Sequence, residues 1–265
     1  MMDVFRLRDL YDRKERIEVS YPGMRRENTP YVVRHVSTSQ VNGFISYSRL
    51  DADSLDGVVR GQIDYFDALG LEFEWKVYEH DFPSDLKDRL LRHGFVADDV
   101  EAIMVLELDQ APWPLLESPQ RKVQQIVDPD LIPQILEVQE EVWQEDKGRL
   151  ADYLSGSLRQ HGSLISVYAA YVEDRPVCSA WLYYDGHSPF ASLWGGSTLE
   201  EYRGQGYYTA LLAARVQEAI RRGARYVTVD ASPMSRPILE RRGFQLMTRA
   251  YACRWPGGRQ NNSVS

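Results

Sequence analysis

Two stretches of this sequence hold residues suited to chemistry on a phosphorylated ligand. The first is Glu201-Tyr202-Arg203-Gly204-Gln205-Gly206-Tyr207-Tyr208, which follows a β-rich run and leads into a helix. A glycine-rich turn between strand and helix gathers unpaired backbone N–H groups at the positive end of the helix dipole, an arrangement that binds phosphate. Gly204 and Gly206 permit a tight turn and let a pyrophosphate approach the main chain without meeting a Cβ. No Gly-Lys-Ser/Thr follows, which excludes a Walker-type loop, and the last glycine of a dinucleotide fingerprint is missing. The second stretch is Gly195-Gly196, inside the preceding β-rich run, where glycines mark a bulge or a close backbone approach.

The elements around these residues follow from periodicity. Asp130 caps a helix that buries Leu131, Ile135, Val138 and Val142, and a second helix carries Leu150, Leu154 and Leu158. Leu164 through Val172 and Val177 through Tyr184 form a hairpin about Glu173-Asp174-Arg175-Pro176, and a third strand runs from Phe190 to Leu199. After the glycine turn, Tyr208, Leu211, Leu212, Arg215, Val216, Ala219 and Ile220 recur with a period near 3.6, and Gly223 closes that helix. A strand from Ala224 to Asp230, a short helix from Ser235 to Arg242 and a last strand from Gln245 to Trp255 complete the chain.

Upstream, a helix from Val58 to Leu69, a strand from Glu72 to Glu79, a helix from Ser84 to His93 and a strand from Glu101 to Leu108 repeat that succession. The interval from Asp81 to Gly94-Phe95 equals that from Asp230 to Gly243-Phe244, as expected of a diverged internal duplication. Prolines 112, 114 and 119 deny helix and central strand between the two parts. The expected domains are therefore 1–120 and 121–265. In the first, Arg60-Gly61-Gln62 superficially repeats Arg203-Gly204-Gln205, but Ile63 stands where the second glycine would be, so this half reads as a shorter, degenerate copy.

Bulk properties narrow the function. The formal net charge of -8 disfavours a protein that tracks nucleic-acid phosphates, because that affinity comes from clustered Lys and Arg. No apolar run approaches the roughly 18 residues that span a bilayer, and no signal-peptide pattern opens the sequence, so the expected setting is cytoplasmic and free of membrane. Cys178 and Cys253 read as buried thiols in strands, not as a disulfide. His35, His80, His93, His161 and His187 show no metal spacing, and no metal is expected. His80-Asp81 resembles a dyad, yet adjacent strand residues point to opposite faces.

In place and order the glycine loop resembles that of the GNAT superfamily of N-acetyltransferases, which reads Arg/Gln-x-x-Gly-x-Gly/Ala after the fourth strand. Arg203 and Gly206 fit this pattern, while Tyr208 replaces the final small residue. Leu239-Glu240-Arg241-Arg242-Gly243-Phe244 is similar to the family's Tyr-Glu-Lys-x-Gly-Phe ending. The resemblance implies an α/β (α+β) fold, with a mixed, mostly antiparallel central sheet flanked by helices, and a second, degenerate half of the same kind.

It also implies acetyl-CoA as co-substrate. Thr198, Leu199 and Glu200 would offer main-chain groups to the pantetheine, and Arg203, Gly204, Gln205, Gly206, Tyr207, Tyr208 and Thr209 would wrap the pyrophosphate. Ser232 takes the place of the family's asparagine as a pantetheine partner. Asp230 ends the fifth strand beside the expected thioester and is the candidate base. Backbone N–H groups near Gly195-Gly196 or at Leu199 are candidates for the oxyanion. Leu239 stands where the family has an acidic tyrosine, and leucine donates no proton, so Tyr207 and Tyr208 become the nearest substitutes. The expected activity is acetylation of a primary amine on a small molecule or peptide by direct attack. The alternatives are a non-catalytic acetyl-CoA-binding or scaffold protein and a tandem acyltransferase using aminoacyl-tRNA, against which the acidic balance counts. The sequence carries no signal for the acceptor's identity or for oligomeric state.

Overall fold

In the computed structural model of the 265-residue chain, residues 4–38 and 42–257 are described. Backbone contacts group the chain into two compact units, Met1–Ile103 with Leu246–Ser265, and Met104–Gln245. The units interleave along the chain, because the last strand completes the first unit and the end of the strand Glu101–Glu107 belongs to the second.

In the first unit, α1 (Val4–Tyr11) runs into a wide π-type turn at Asp12–Ile17. β1 (Met24–Asn28), β2 (Val32–Ser37) and β3 (Gly43–Ser48) follow as an antiparallel meander. α2 (Leu55–Leu69) ends at Gly70, whose φ of 67° is the left-handed stop that glycine adopts readily. It leads to β4 (Phe73–Tyr78), parallel to β3, and then come α3 (Leu86–Arg92) and β5 (Val96–Ala97). The final strand of the chain, Gln245–Trp255, lies antiparallel to β4 from Ala250↔Tyr78 to Trp255↔Phe73. Val59 and Phe66 of α2 pack with Ile45, Phe73, Trp75 and Cys253 in one buried cluster.

The second unit takes the end of β6 (Glu101–Glu107), then α4 (Trp113–Leu116), β7 (Val123–Ile126), α5 (Ile132–Trp143) and α6 (Gly148–His161). β8 (Ile165–Val172), β9 (Arg175–Tyr184), β10 (Phe190–Thr198), α7 (Tyr207–Arg221), β11 (Tyr226–Ala231) and α8 (Arg236–Glu240) follow, with Gln245 opening β12 (Gln245–Trp255). Its strands lie in the order β6-β11-β10-β9-β8-β7, with β7 to β10 antiparallel and β10 parallel to β11. The period of two along β8 sends Ile165, Val167 and Ala169 to the side of α5 and α6, and Tyr168 and Ala170 to the side of α7. The fold is thus α/β, with mixed, mostly antiparallel strands flanked by helices. Both cysteines are free and buried, one in each unit.

Candidate functional site

β10 and β11 pair only from Phe190↔Tyr226 to Leu193↔Val229, although both strands continue beyond that point. On its other edge, β10 slips register against β9 between Trp194 and Ser197. The slip falls on Gly195-Gly196, as the sequence indicated. Gly195 has a φ of 61°, and a Cβ there would stand 1.9 Å from the Trp181 ring. A Cβ on Gly196 would stand 2.8 Å from the Tyr208 ring. The residue that breaks the small-residue pattern of the loop is therefore accommodated by the missing side chain of the bulge.

The bulge is fixed from both faces of the sheet. From α5, Gln139 donates to Ser179 Oγ (2.9 Å) and to Gly195 O, and accepts from Ser197 Oγ (3.0 Å). From α7, Arg215 Nη1 donates to Trp181 O and Trp194 O, both at 3.3 Å, and Nε returns to Leu211 O. Arg215 is 2% exposed and has no ion-pair partner among the described residues. Burial pulls its pKa below the ordinary arginine range, against the opposing pull of Tyr208, Cys178, Tyr168 and Tyr184. Sequence reading placed Arg215 in the apolar stripe of the helix; a cation at a core position was the signal available.

The loop between β10 and α7 turns at two left-handed glycines, Gly204 (φ 72°) and Gly206 (φ 89°). A Cβ on either would meet no atom within 4 Å, so their torsion, not crowding, calls for glycine, and the space over them is open. The first intrahelical bond of α7 runs from Ala210 N–H to Gly206 O (3.0 Å), which leaves the amides of Tyr207, Tyr208 and Thr209 as the donors of an open N-terminus. Arg203 Nε donates to Thr198 O (3.2 Å), Gln205 Nε2 to Glu201 O (2.8 Å) and Arg121 Nε to Gln205 O (3.0 Å). These bonds brace the loop around its own backbone. A cleft of about 300 Å³ beside it is lined by Gly206, Thr209 and Ala213 of the helix and by Arg121, Pro119 and Arg242. An amide-lined turn, a dipole end and two arginines suit a diphosphate. The proline-rich boundary stretch of the sequence thus contributes Pro114, Pro119 and Gln120 to the cleft wall.

The remaining expected site residues divide. Thr198 ends β10, with its hydroxyl 3.1 Å from Cys178 Sγ, and burial pushes that thiol up to about 11. The Leu199 N–H is spent on Val177 O (3.0 Å) and its carbonyl accepts from Tyr202 N–H (3.0 Å), so its amide is not available to an oxyanion. Glu200 is exposed in the following turn. Asp230 lies near the end of β11, past the last residue that pairs with β10. Ser232 accepts from Ser235 N–H at Oγ and from Arg236 N–H at its carbonyl, a capping role for α8. Leu239 is fully buried. Tyr207 is buried too, edge-on to Tyr202 and beneath Arg121.

The first unit repeats the splay but fills it. β3 and β4 pair over Gly43–Ile45 and Phe73–Trp75 and then separate, and β3 slips register against β2 at Ser46. Arg16, from the π-type turn, donates to Ser46 O (3.0 Å), accepts at its carbonyl from Ser46 Oγ (2.6 Å) and grips both Asp81 oxygens at 2.8 Å. His80 turns instead to Asp12 and Thr248, so His80 and Asp81 form no dyad. Among the described residues no group of His, Cys, Asp and Glu could hold a metal ion, and no helix is long and apolar enough to cross a membrane.

Comparison with known proteins agrees with this geometry. Residues 128–244 match the family model described as "Acetyltransferase (GNAT) family". A search of curated proteins gives no match. Among solved structures, the chain is similar to a GCN5-related N-acetyltransferase from Kribbella flavida, at 15% identity over 98% of each chain with a TM-score of 0.70. It is similar to a GCN5-related N-acetyltransferase from Sphaerobacter thermophilus, at 17% identity over 87% of this chain and 83% of the other, TM-score 0.57. A tandem GNAT protein from the clavulanic acid biosynthesis pathway shares 13% identity over 92% and 87%, TM-score 0.57. At such identities the likeness is one of fold.

Proposed function

We propose that this protein, whose residues 128–244 match the GNAT acetyltransferase family model, is an acetyl-CoA-dependent N-acetyltransferase acting on a primary amine of a small molecule or peptide. The observation that carries the proposal is the conjunction of the β10–β11 splay, the bulge at Gly195-Gly196 and the open turn at Gly204 and Gly206. The turn amides of Tyr207 to Thr209, with Arg121 and Arg242 on the cleft wall, would hold the pyrophosphate, and the splay after Leu193 would admit the pantetheine beside Thr198. Acetyl-CoA supplies the activated acyl group. The chain's part is to align the amine, keep it neutral and stabilise the charge that passes from carbonyl oxygen to sulfur. Asp230, at the edge of the splay, is the proposed base for the amine.

We further propose that 1–120 and 121–265 descend from one duplicated sequence and that the first copy gave up cofactor binding. The absence of a glycine loop and the presence of Arg16 across the β3–β4 mouth support this. Leu239, fully buried where the family carries a tyrosine, favours a second reading, a non-catalytic acetyl-CoA-binding protein. Release of free coenzyme A thiol from acetyl-CoA in the presence of a panel of mono-, di- and polyamines and peptide N-termini separates the two. Amine-dependent release lost in Asp230→Asn supports the enzyme, whereas binding without release for every amine supports the second reading.

A further inference from the structure

The leaving sulfur of a thioester departs as an anion, and Leu239 offers it neither a proton nor a charge. The β10 bulge holds a feature that is costly unless an anion arrives. Arg215 is almost wholly buried, and its partners are neutral carbonyls of Leu211, Trp181 and Trp194. An isolated buried cation carries a large desolvation penalty, which a neighbouring negative charge offsets. Beside it, the Tyr208 ring rests on Gly196, and its hydroxyl makes no hydrogen bond among the described residues. Burial raises the Tyr208 pKa, and Arg215 opposes that rise. The other titratable groups facing this cation are Cys178 on β9, Tyr168 on β8 and Tyr184 at the end of β9. Tyr168 is already committed to Glu218. Glycine at 196, tyrosine at 208 and arginine at 215 thus form one packed unit at the bulge.

We propose that Tyr208 donates a hydrogen bond to the coenzyme A sulfur as it departs, and that the Arg215 guanidinium supplies the balancing charge. The inference rests on the acetyl-CoA reading above. In the step, the neutral amine nitrogen bonds to the acetyl carbon and the carbon–sulfur bond breaks, leaving the electron pair on sulfur. The nitrogen then loses one proton to Asp230 and the sulfur gains one from the Tyr208 hydroxyl, and exchange with solvent returns the proton from Asp230 to Tyr208, so that amide and thiol are the products. Tyr208 is the catalytic residue and Arg215 a positioning residue that acts through charge and through the bulge carbonyls.

The test needs no knowledge of the acceptor. Coenzyme A is bound to the full chain and its thiol is titrated with pH by ultraviolet thiolate absorbance, as a difference against the acetyl-CoA complex. A cation and a hydroxyl donor beside the sulfur should lower the thiol pKa by about one unit or more relative to free coenzyme A. Tyr208→Phe should reduce the shift and Arg215→Met abolish it, each read as a difference against the acetyl-CoA complex of the same variant. Should Arg215→Met fail to fold, Tyr208→Phe, which preserves ring and packing, decides the matter alone. A bound thiol that ionises as in free solution, or a shift untouched by Tyr208→Phe, overturns the proposal. If neither coenzyme A nor acetyl-CoA binds, the acetyl-CoA reading itself fails and takes this inference with it.

Discussion

Gly206 and Gly223 flank the same helix, and their comparison isolates what the glycine loop does. Both are left-handed, with φ of 89° and 77°, and a Cβ on either meets no atom within 4 Å. Alanine at each position therefore costs torsional strain without a clash, about 1–2 kcal/mol, partly offset by the stiffer unfolded chain. Each variant should melt roughly 2–4 °C lower for every kcal/mol lost. The two differ in what lies over them, since Gly206 opens α7 beside the cleft proposed for the diphosphate and Gly223 follows its far end. Acetyl-CoA at about 100 times its dissociation constant should stabilise the native protein by about 2.7 kcal/mol. A Cβ that pushes the diphosphate off the turn and weakens binding about tenfold would cut that increment to about 1.4 kcal/mol at the same ligand concentration. Denaturant unfolding with and without acetyl-CoA reads both quantities. Gly223→Ala should keep the full increment and Gly206→Ala should lose about half or more. Equal increments in the two variants would refute the assignment of the loop.

Two further outcomes are expected of the first unit. His35 is fully buried, stacked on Phe44 and without a hydrogen-bond partner at either ring nitrogen, and burial depresses its pKa to about 4. The folded state therefore keeps a neutral imidazole that the unfolded chain protonates, so stability is full above about pH 6.5 and falls as pH drops toward 4, by about 3 kcal/mol at most. In His35→Leu the part of the acid slope between those limits should disappear from urea titrations, and an unchanged slope would contradict it. The second outcome concerns fragments. Residues 1–120 lack β12, which pairs with β4 through Trp255 and puts Cys253 into the core, so that fragment should show no cooperative unfolding until 121–265 is added. Circular dichroism of the separate and mixed fragments checks this, and independent cooperative unfolding of 1–120 would overturn the exchange.

Much of the second unit was legible because its signals are local. The strand-glycine-helix succession around Gly204 and Gly206, and the paired glycines of the bulge, follow from torsional needs that few other residues meet. Long-range choices were not legible. Nothing in Gln245–Trp255 says whether it pairs with its own half or with β4, since a strand's pattern fixes its faces and not its partner. The role of Arg16 was hidden for a similar reason, because its partners Ser46 and Asp81 are distant in sequence. The short strands β1 to β3 and β7 lack strong periodicity, and β1 is largely exposed. Arg215 was visible as a charge in an apolar stripe, but the register bulge that gives it carbonyl partners exists only once β9 and β10 pair.

The central claim is that one acetyl-CoA binds per chain, at the α7 turn of the second unit, while Arg16 closes the corresponding mouth of the first. Isothermal titration calorimetry of acetyl-CoA into the full-length protein tests it directly. The account predicts a single equivalent, with the heat lost in a variant carrying Trp in place of Gly206. No binding, two equivalents, or a single equivalent indifferent to Gly206→Trp would contradict it.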